Sequence, residues 1–188
     1  MMLFPDAYAD NVFAIDYPKL YEKGYRGLIF DVDNTLVPHG ADSTPRVDAL
    51  FARLHEIGFQ TLLLSNNDEE RICRFIRGME TFYVCDAEKP KPGGYRRALE
   101  LLGLPCGRVV MIGDQIFTDV LGANRCGIAT VLVKYFGYDT EKKIGIRRRA
   151  ERLLLAFRRL VPASRNRLGE ILMGEDEAAN EKRKDPVL

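Results

Sequence analysis

Gly27-Leu28-Ile29-Phe30-Asp31-Val32-Asp33-Asn34-Thr35 decides how this chain is read. Its apolar run, without polar alternation, suits a strand covered on both faces. The run delivers two carboxylates, two residues apart, to the same side of a strand end. One can attack a phosphorus while the other handles a proton.

Four more short apolar runs follow, at 61–64, 82–85, 109–112 and 130–133. Helical patterns separate them. Residues 44–57 place Val47, Leu50, Phe51, Leu54 and Ile57 on one face, and Gly58 closes the pattern. Asn67-Asp68-Glu69-Glu70 opens a second helix with a cap residue and first-turn acids. Residues 94–102 and 116–126 form the third and fourth, ended by Gly103 and Gly127. This alternation predicts an α/β fold, a three-layer, doubly wound parallel sheet. Any site then lies at the carboxyl ends of the strands. Asp31, Ser65, Lys89 and Asp114 each fall at or just after such an end.

A phosphate monoester needs a nucleophile, a clamp on its charge and a proton donor for the leaving alkoxide. Asp31 is the candidate nucleophile, passing through an aspartyl-phosphate. Asp33 is the candidate acid and base. An anionic nucleophile facing a phosphate requires a cation, and Mg²⁺ prefers oxygen ligands. Asp31 and Asp114 are candidate side-chain ligands, with the backbone carbonyl of Asp33. Ser65 can donate to a phosphoryl oxygen, with Asn66 beside it as a second phosphate-binding candidate. Lys89 adds fixed positive charge. Asp119 can hold a metal-bound water or orient Lys89, and Thr35 is a supporting residue.

Each piece alone has a plainer explanation. A lone pair of aspartates occurs in sugar transferases and in many turns. A calcium loop over 31–42 fails, because its sixth position is Leu36 and its twelfth Asp42. Ser65-Asn66 could be a helix cap, Lys89 and Lys91 solvated lysines, and Asp119 a surface acid. Their order along the chain lifts the functional reading.

In that order the segments Asp31-Val32-Asp33-Asn34-Thr35, Ser65, Lys89-Pro90 and Gly113-Asp114 through Thr118-Asp119 resemble the four motifs of the haloacid dehalogenase (HAD) superfamily. The phrases Phe30 to Val37, Lys89 to Pro92 and Gly113 to Arg125 are similar to its IIIA, YqeG-type branch. The resemblance runs from about residue 25 to 133. It implies a HAD-like Rossmannoid fold, with Asp31 as nucleophile, Asp33 as acid/base, and Asp31, Asp33 and Asp114 as Mg²⁺ ligands. An aspartate at position 33 favours phosphoester hydrolysis over the ATPases of that superfamily. Neither 36–43 nor 86–88 is long enough for a cap domain, so an open site is expected. The YqeG-type branch is similar to enzymes that dephosphorylate phosphatidylglycerophosphate, an anionic lipid.

The 188 residues are 46% hydrophobic and 29% charged, which reads as a globular domain. Residues 1–24 are expected to pack as an N-terminal arm, 25–168 to form the hydrolase domain, and 169–188 to be a disordered tail. Asp6 and Asp10, with no basic stretch, argue against a signal peptide. No apolar run approaches the roughly 20 residues of a membrane span. The cytoplasm, with possible attachment to a membrane surface, is the expected location. Cys73, Cys85, Cys106 and Cys126 form no close pair and are expected as free thiols.

A net charge of +1 hides an asymmetry. Between Lys142 and Arg167 lie ten Lys or Arg and one acid, Glu151. A basic helix is expected at about 140–161, either packed on the sheet or binding an anionic lipid surface or RNA. A soluble sugar or nucleotide phosphate is the alternative substrate and an RNA-binding assembly role the alternative function; a homodimer and a membrane surface are the two ways to close an open site.

Overall fold

The computed structural model describes residues 2–134 and 167–172. Six strands form one sheet: β1 (Ala7–Ala9), β2 (Gly27–Phe30), β3 (Gln60–Leu64), β4 (Phe82–Val84), β5 (Val109–Gly113) and β6 (Ala129–Val133). Their order is β1-β6-β5-β2-β3-β4, and every neighbouring pair is parallel. Strand β2 sits inside, with Phe30 opposite Leu63 on one side and Ile112 on the other. The chain therefore has the expected α/β fold, a HAD-like Rossmannoid.

The unalternating strands feed two cores, one on each face. Leu28, Phe30, Leu63, Val110 and Ile112 meet Val47, Leu50, Phe51 and Leu54 of α2 (Pro45–Ile57), and Ile72 and Phe75 of α3 (Glu69–Phe75). Ile29, Leu62, Leu64, Val109 and Met111 meet Tyr95, Ala98 and Leu102 of α4 (Pro92–Leu102), and Ala123 of α5 (Leu121–Arg125). Phe30 and Phe51 pack with ring centroids 5.2 Å apart and planes tilted by 44°. Truncating such a buried aromatic costs about 3–5 kcal/mol. Helix α2 starts on Thr44, whose hydroxyl accepts from Val47 N, and stops at Gly58 in the left-handed region, φ 105°.

Three expectations need correction. The N-terminal arm is not merely packed on the body: Ala7–Ala9 forms the strand beside β6, followed by α1 (Tyr17–Glu22). The expected helix at 116–126 is a π turn, Ile116–Val120, running into α5. Order also extends past residue 168. Ile171 is buried, Asp16 N donates to Ile171 O, and Leu172 bridges Ile15. Arg167, counted among the basic residues, is held by Asp6 and Asn124. The basic helix expected at about 140–161 and residues 173–188 lie outside the described residues.

Only loops fill 31–44 and 85–91, so no cap domain covers the carboxyl edge there. Among the described residues no helix is long and apolar enough to cross a membrane.

Candidate active site

The carboxyl ends of β2, β3 and β5, with the loop after β4, meet at one place. Asp31 N donates to Ile112 O, which carries the first carboxylate past β2 in register with β5. Asp114 follows directly on β5. The π turn then brings Asp119 back toward that strand. Such one-turn bulges re-aim side chains, and here Asp119 N and Val120 N both donate to Gln115 O.

Carboxylate oxygens of Asp31, Asp114 and Asp119 lie within 4.8 Å of one another, and all three residues are buried. The Lys89 ammonium enters between two of them, 2.5 Å from Asp31 Oδ1 and 2.7 Å from Asp119 Oδ1. The Thr35 hydroxyl reaches Asp31 Oδ2 at 3.2 Å and Asp114 Oδ1 at 3.5 Å. The Asp31 carboxyl is pushed up to about 6, mainly by burial, with Asp119 adding repulsion and Lys89 only partly offsetting both. The Lys89 ammonium is held above its ordinary value: burial opposes its charge, but Asp119 and Asp31 outweigh it.

These residues fit a divalent ion. Three carboxylates carry three negative charges when ionised, against one from Lys89. Buried charge must be paired or bound to metal, and an all-oxygen set suits Mg²⁺. The Asp33 carboxylate is not in this group, whereas Asp119 is. Asp33 could reach an ion only through its main-chain carbonyl.

Asp33 instead has its own shell of donors. Its Oδ1 accepts from Gly40 N at 3.0 Å and Arg71 Nη2 at 3.2 Å; its Oδ2 accepts from Asn67 Nδ2 at 2.6 Å. His39 Nδ1 stands 3.3 Å from Oδ2. Burial pushes this carboxyl up, but the Gly40 amide, Asn67 and Arg71 prevail and hold it below its usual value. Asn34, in the left-handed region at φ 67°, closes the loop: its amide donates to Val37 O and its side chain accepts from His39 N.

Ser65 is buried at the end of β3, and its hydroxyl oxygen accepts from Asn67 N at 3.1 Å. A hydroxyl can accept and donate at once, so its proton can face a phosphoryl oxygen. Asn66 departs from expectation. Its Oδ1 accepts from Lys89 N at 2.7 Å and its Nδ2 donates to Lys89 O at 3.4 Å. The side chain braces the loop that presents Lys89 instead of standing free for phosphate.

Sequence reading placed His39 in a loop near the site, but missed Asn67, Arg71 and Gly40 as partners of Asp33. One signal was available. Arg71 sits in the first turn of α3, where the helix dipole disfavours a cation, so it needs a compensating partner.

A HAD-hydrolase-like family model matches residues 87–151. The chain is 38% identical over 130 residues to the probable phosphatase YqeG of Bacillus subtilis, covering 69% of this chain and 76% of that protein. It is 31% identical over 143 residues to the chloroplastic phosphatidylglycerophosphate phosphatase 1 of Chlamydomonas reinhardtii. That match covers 71% of this chain but 53% of the algal protein, so the chain spans about half of that relative's length. An uncharacterized protein from Corynebacterium glutamicum has the same fold, with TM-score 0.50 and 24% identity over 81% of this chain and 99% of that one.

Proposed function

The chain belongs to the haloacid dehalogenase-like hydrolases, in their YqeG-type phosphatase branch, and we propose that it is a Mg²⁺-dependent phosphomonoester hydrolase that works through Asp31 and acts on phosphatidylglycerophosphate. The observation that carries the mechanism is the buried group of Asp31, Asp114 and Asp119 around Lys89.

In the first step an Asp31 carboxylate oxygen bonds to phosphorus. The bond to the leaving oxygen breaks, and that oxygen keeps the electron pair and takes a proton from Asp33; its donors alone hold this carboxyl low, so the incoming phosphate anion must raise it far enough to carry that proton. In the second, a water oxygen bonds to phosphorus as its proton passes to Asp33, and the Asp31 acyl-phosphate P–O bond breaks. Lys89 neutralises charge on the phosphoryl oxygens, and Ser65 donates to one of them. Bound at Asp31, Asp114 and the Asp33 carbonyl, Mg²⁺ would supply charge neutralisation between nucleophile and phosphate. Asp119 keeps Lys89 pointed at Asp31.

Three facts support the lipid as substrate. The loops 31–44 and 85–91 hold no cap domain that would exclude a large ester. The algal relative bears that activity in its name. The basic stretch 142–165 suits an anionic surface by its composition.

The test is phosphate release with Mg²⁺ from phosphatidylglycerophosphate in mixed micelles, nucleoside monophosphates and sugar phosphates, with Asp31→Asn as the blank. Fast release from the lipid alone, lost in Asp31→Asn, is expected. Release only from soluble esters overturns the lipid assignment. Turnover by Asp31→Asn above about a thousandth of wild type overturns the nucleophile.

A further inference from the structure

Arg71 is difficult to explain as a stabilising residue. Its side chain is 11% exposed, and Nη2 alone carries its contacts, to Asp33 Oδ1 at 3.2 Å and Ala41 O at 2.6 Å. Its Nε and Nη1 are buried with no hydrogen-bond partner. The Phe75 ring lies 5.5 Å from the guanidinium carbon, a contact that compensates little. A half-satisfied buried cation costs stability compared with an apolar side chain of similar volume. It also occupies a first-turn position where the α3 dipole is unfavourable to it.

The two contacts it does make share a feature. Asp33 and Ala41 lie far apart along the loop 31–44 that carries the nucleophile, and Arg71 bridges them from a different element. Asn67, just before α3, takes the other oxygen of the same carboxylate. Asp33 thus has one oxygen tied through Arg71 and the other through Asn67, with the Gly40 amide closing the set. Two anchors on opposite oxygens fix both the rotation and the tilt of a carboxylate. One anchor would leave it free to turn.

We propose that Arg71, with Asn67, is a positioning residue that aims the Asp33 carboxyl at the oxygen of the leaving group. This rests on the acid/base role proposed for Asp33. Arg71 touches neither phosphorus nor leaving oxygen; it acts through Asp33 alone. Its loss therefore costs most when the leaving oxygen needs a proton, and little when that oxygen departs easily as an anion. Substrate binding, which depends on Ser65 and Lys89, is left intact.

The experiment compares kcat and KM for phenyl phosphate, a poor leaving group, and 4-nitrophenyl phosphate, a good one. The proteins are wild type, Arg71→Ala, Arg71→Lys, Asn67→Ala, Asp33→Asn and Arg71→Ala with Asp33→Asn, each with its melting temperature. Positioned acid–base groups contribute about 10²–10⁴ in rate. Arg71→Ala should lower kcat for phenyl phosphate by about 10–100-fold, with less than about a threefold effect on 4-nitrophenyl phosphate and on either KM. Asn67→Ala should move the same way. Arg71→Lys, whose ammonium has donors for both acceptors but a shorter reach, should fall between. Methylguanidinium should restore part of the rate to Arg71→Ala and none to Asp33→Asn. In the Asp33→Asn background Arg71→Ala should cost nothing further.

Equal losses on both esters, or additive losses in the double variant, would make Arg71 merely structural and overturn the proposal. If Asp33→Asn shows the leaving-group-selective loss and the folded Arg71→Ala protein matches wild type, the proposal alone falls. If Asp33→Asn itself loses nothing selectively, the acid/base reading of Asp33 falls first and this inference with it.

Discussion

Gly113 and Asp119 share a space that admits no side chain between them: a Cβ on Gly113 would sit 2.5 Å from the Asp119 Cγ. The glycine lets the carboxylate fold back against β5 to reach Lys89 at 2.7 Å. Gly113→Ala should therefore push Asp119 off the ammonium while leaving the sheet paired. Displacement near a reacting centre by about 1 Å can cost on the order of a hundredfold in rate. The expected result is a kcat loss of that order, matched by Asp119→Asn; a fully active Gly113→Ala would mean that Asp119 does not orient Lys89.

The pH dependence of stability follows from Asp31. Its carboxyl rises from 3.8 to about 6 on folding. A group raised this way contributes stability in full below the unfolded value, and the contribution is lost as pH rises through the folded value. Magnesium-free protein should therefore lose this contribution as pH rises from about 4 through about 6. Asp31→Asn should flatten that part of the curve, as thermal melts at each pH would show. A wild-type curve that rises over the same interval contradicts the assignment.

Asp114 predicts a metal phenotype. The Asp114→Ala protein should fold, because the Thr35 hydroxyl still has Asp31 as its acceptor. Its Mg²⁺ concentration for half-maximal activity should rise by about tenfold or more, as loss of a ligand typically requires. An unchanged magnesium titration would remove Asp114 from the ligand set.

Arg167 predicts a stability phenotype with no change in chemistry. Its Nη2 lies 2.7 Å from Asp6 Oδ2, and Asp6 is nearly inaccessible. The same guanidinium reaches Asn124 Oδ1, Gly127 O and Ile128 O. Stripping a partner from a buried carboxylate costs about 3–5 kcal/mol. Arg167 is 30% exposed and Thr130 N still donates to Asp6, so about 2 kcal/mol is expected for Arg167→Ala. Denaturant midpoints should fall accordingly, while kcat on a soluble phosphate ester stays at wild type.

The central strands were legible because each is a short apolar run followed by a polar residue. Asp31, Ser65, Lys89 and Asp114 were legible because they fall at or just after the ends of such runs, and Asp119 from its spacing after Asp114. What escaped notice had no local signature. Ala7-Tyr8-Ala9 contains no β-branched residue, and it becomes a strand only because β6 offers a free edge. The π turn depends on a close approach between Gly113 and Asp119 that spacing does not encode. The donors around Asp33 come from residue 40 and from residues 67 and 71, which meet it only once the loop has folded. Asn66 shows the opposite failure: a residue adjacent to a phosphate candidate had a structural use.

The pairing of β1 with β6 has a consequence for the timing of folding. Ala7 aligns with Val131, and among the described residues β1 has no other neighbour in the sheet. The first strand synthesised must wait for the last before it can be placed. At about 5–20 residues per second, the intervening chain takes roughly 6–25 s to emerge from a ribosome. Until then the N-terminal residues have no hydrogen-bonding edge to dock on, and β6 arrives with its outer edge unclaimed. Contacts of such long sequence separation form slowly. The interval during which this edge is open to capture by another chain is therefore set by the order of the strands along the sequence, and moving β1 to follow β6 by circular permutation would shorten it.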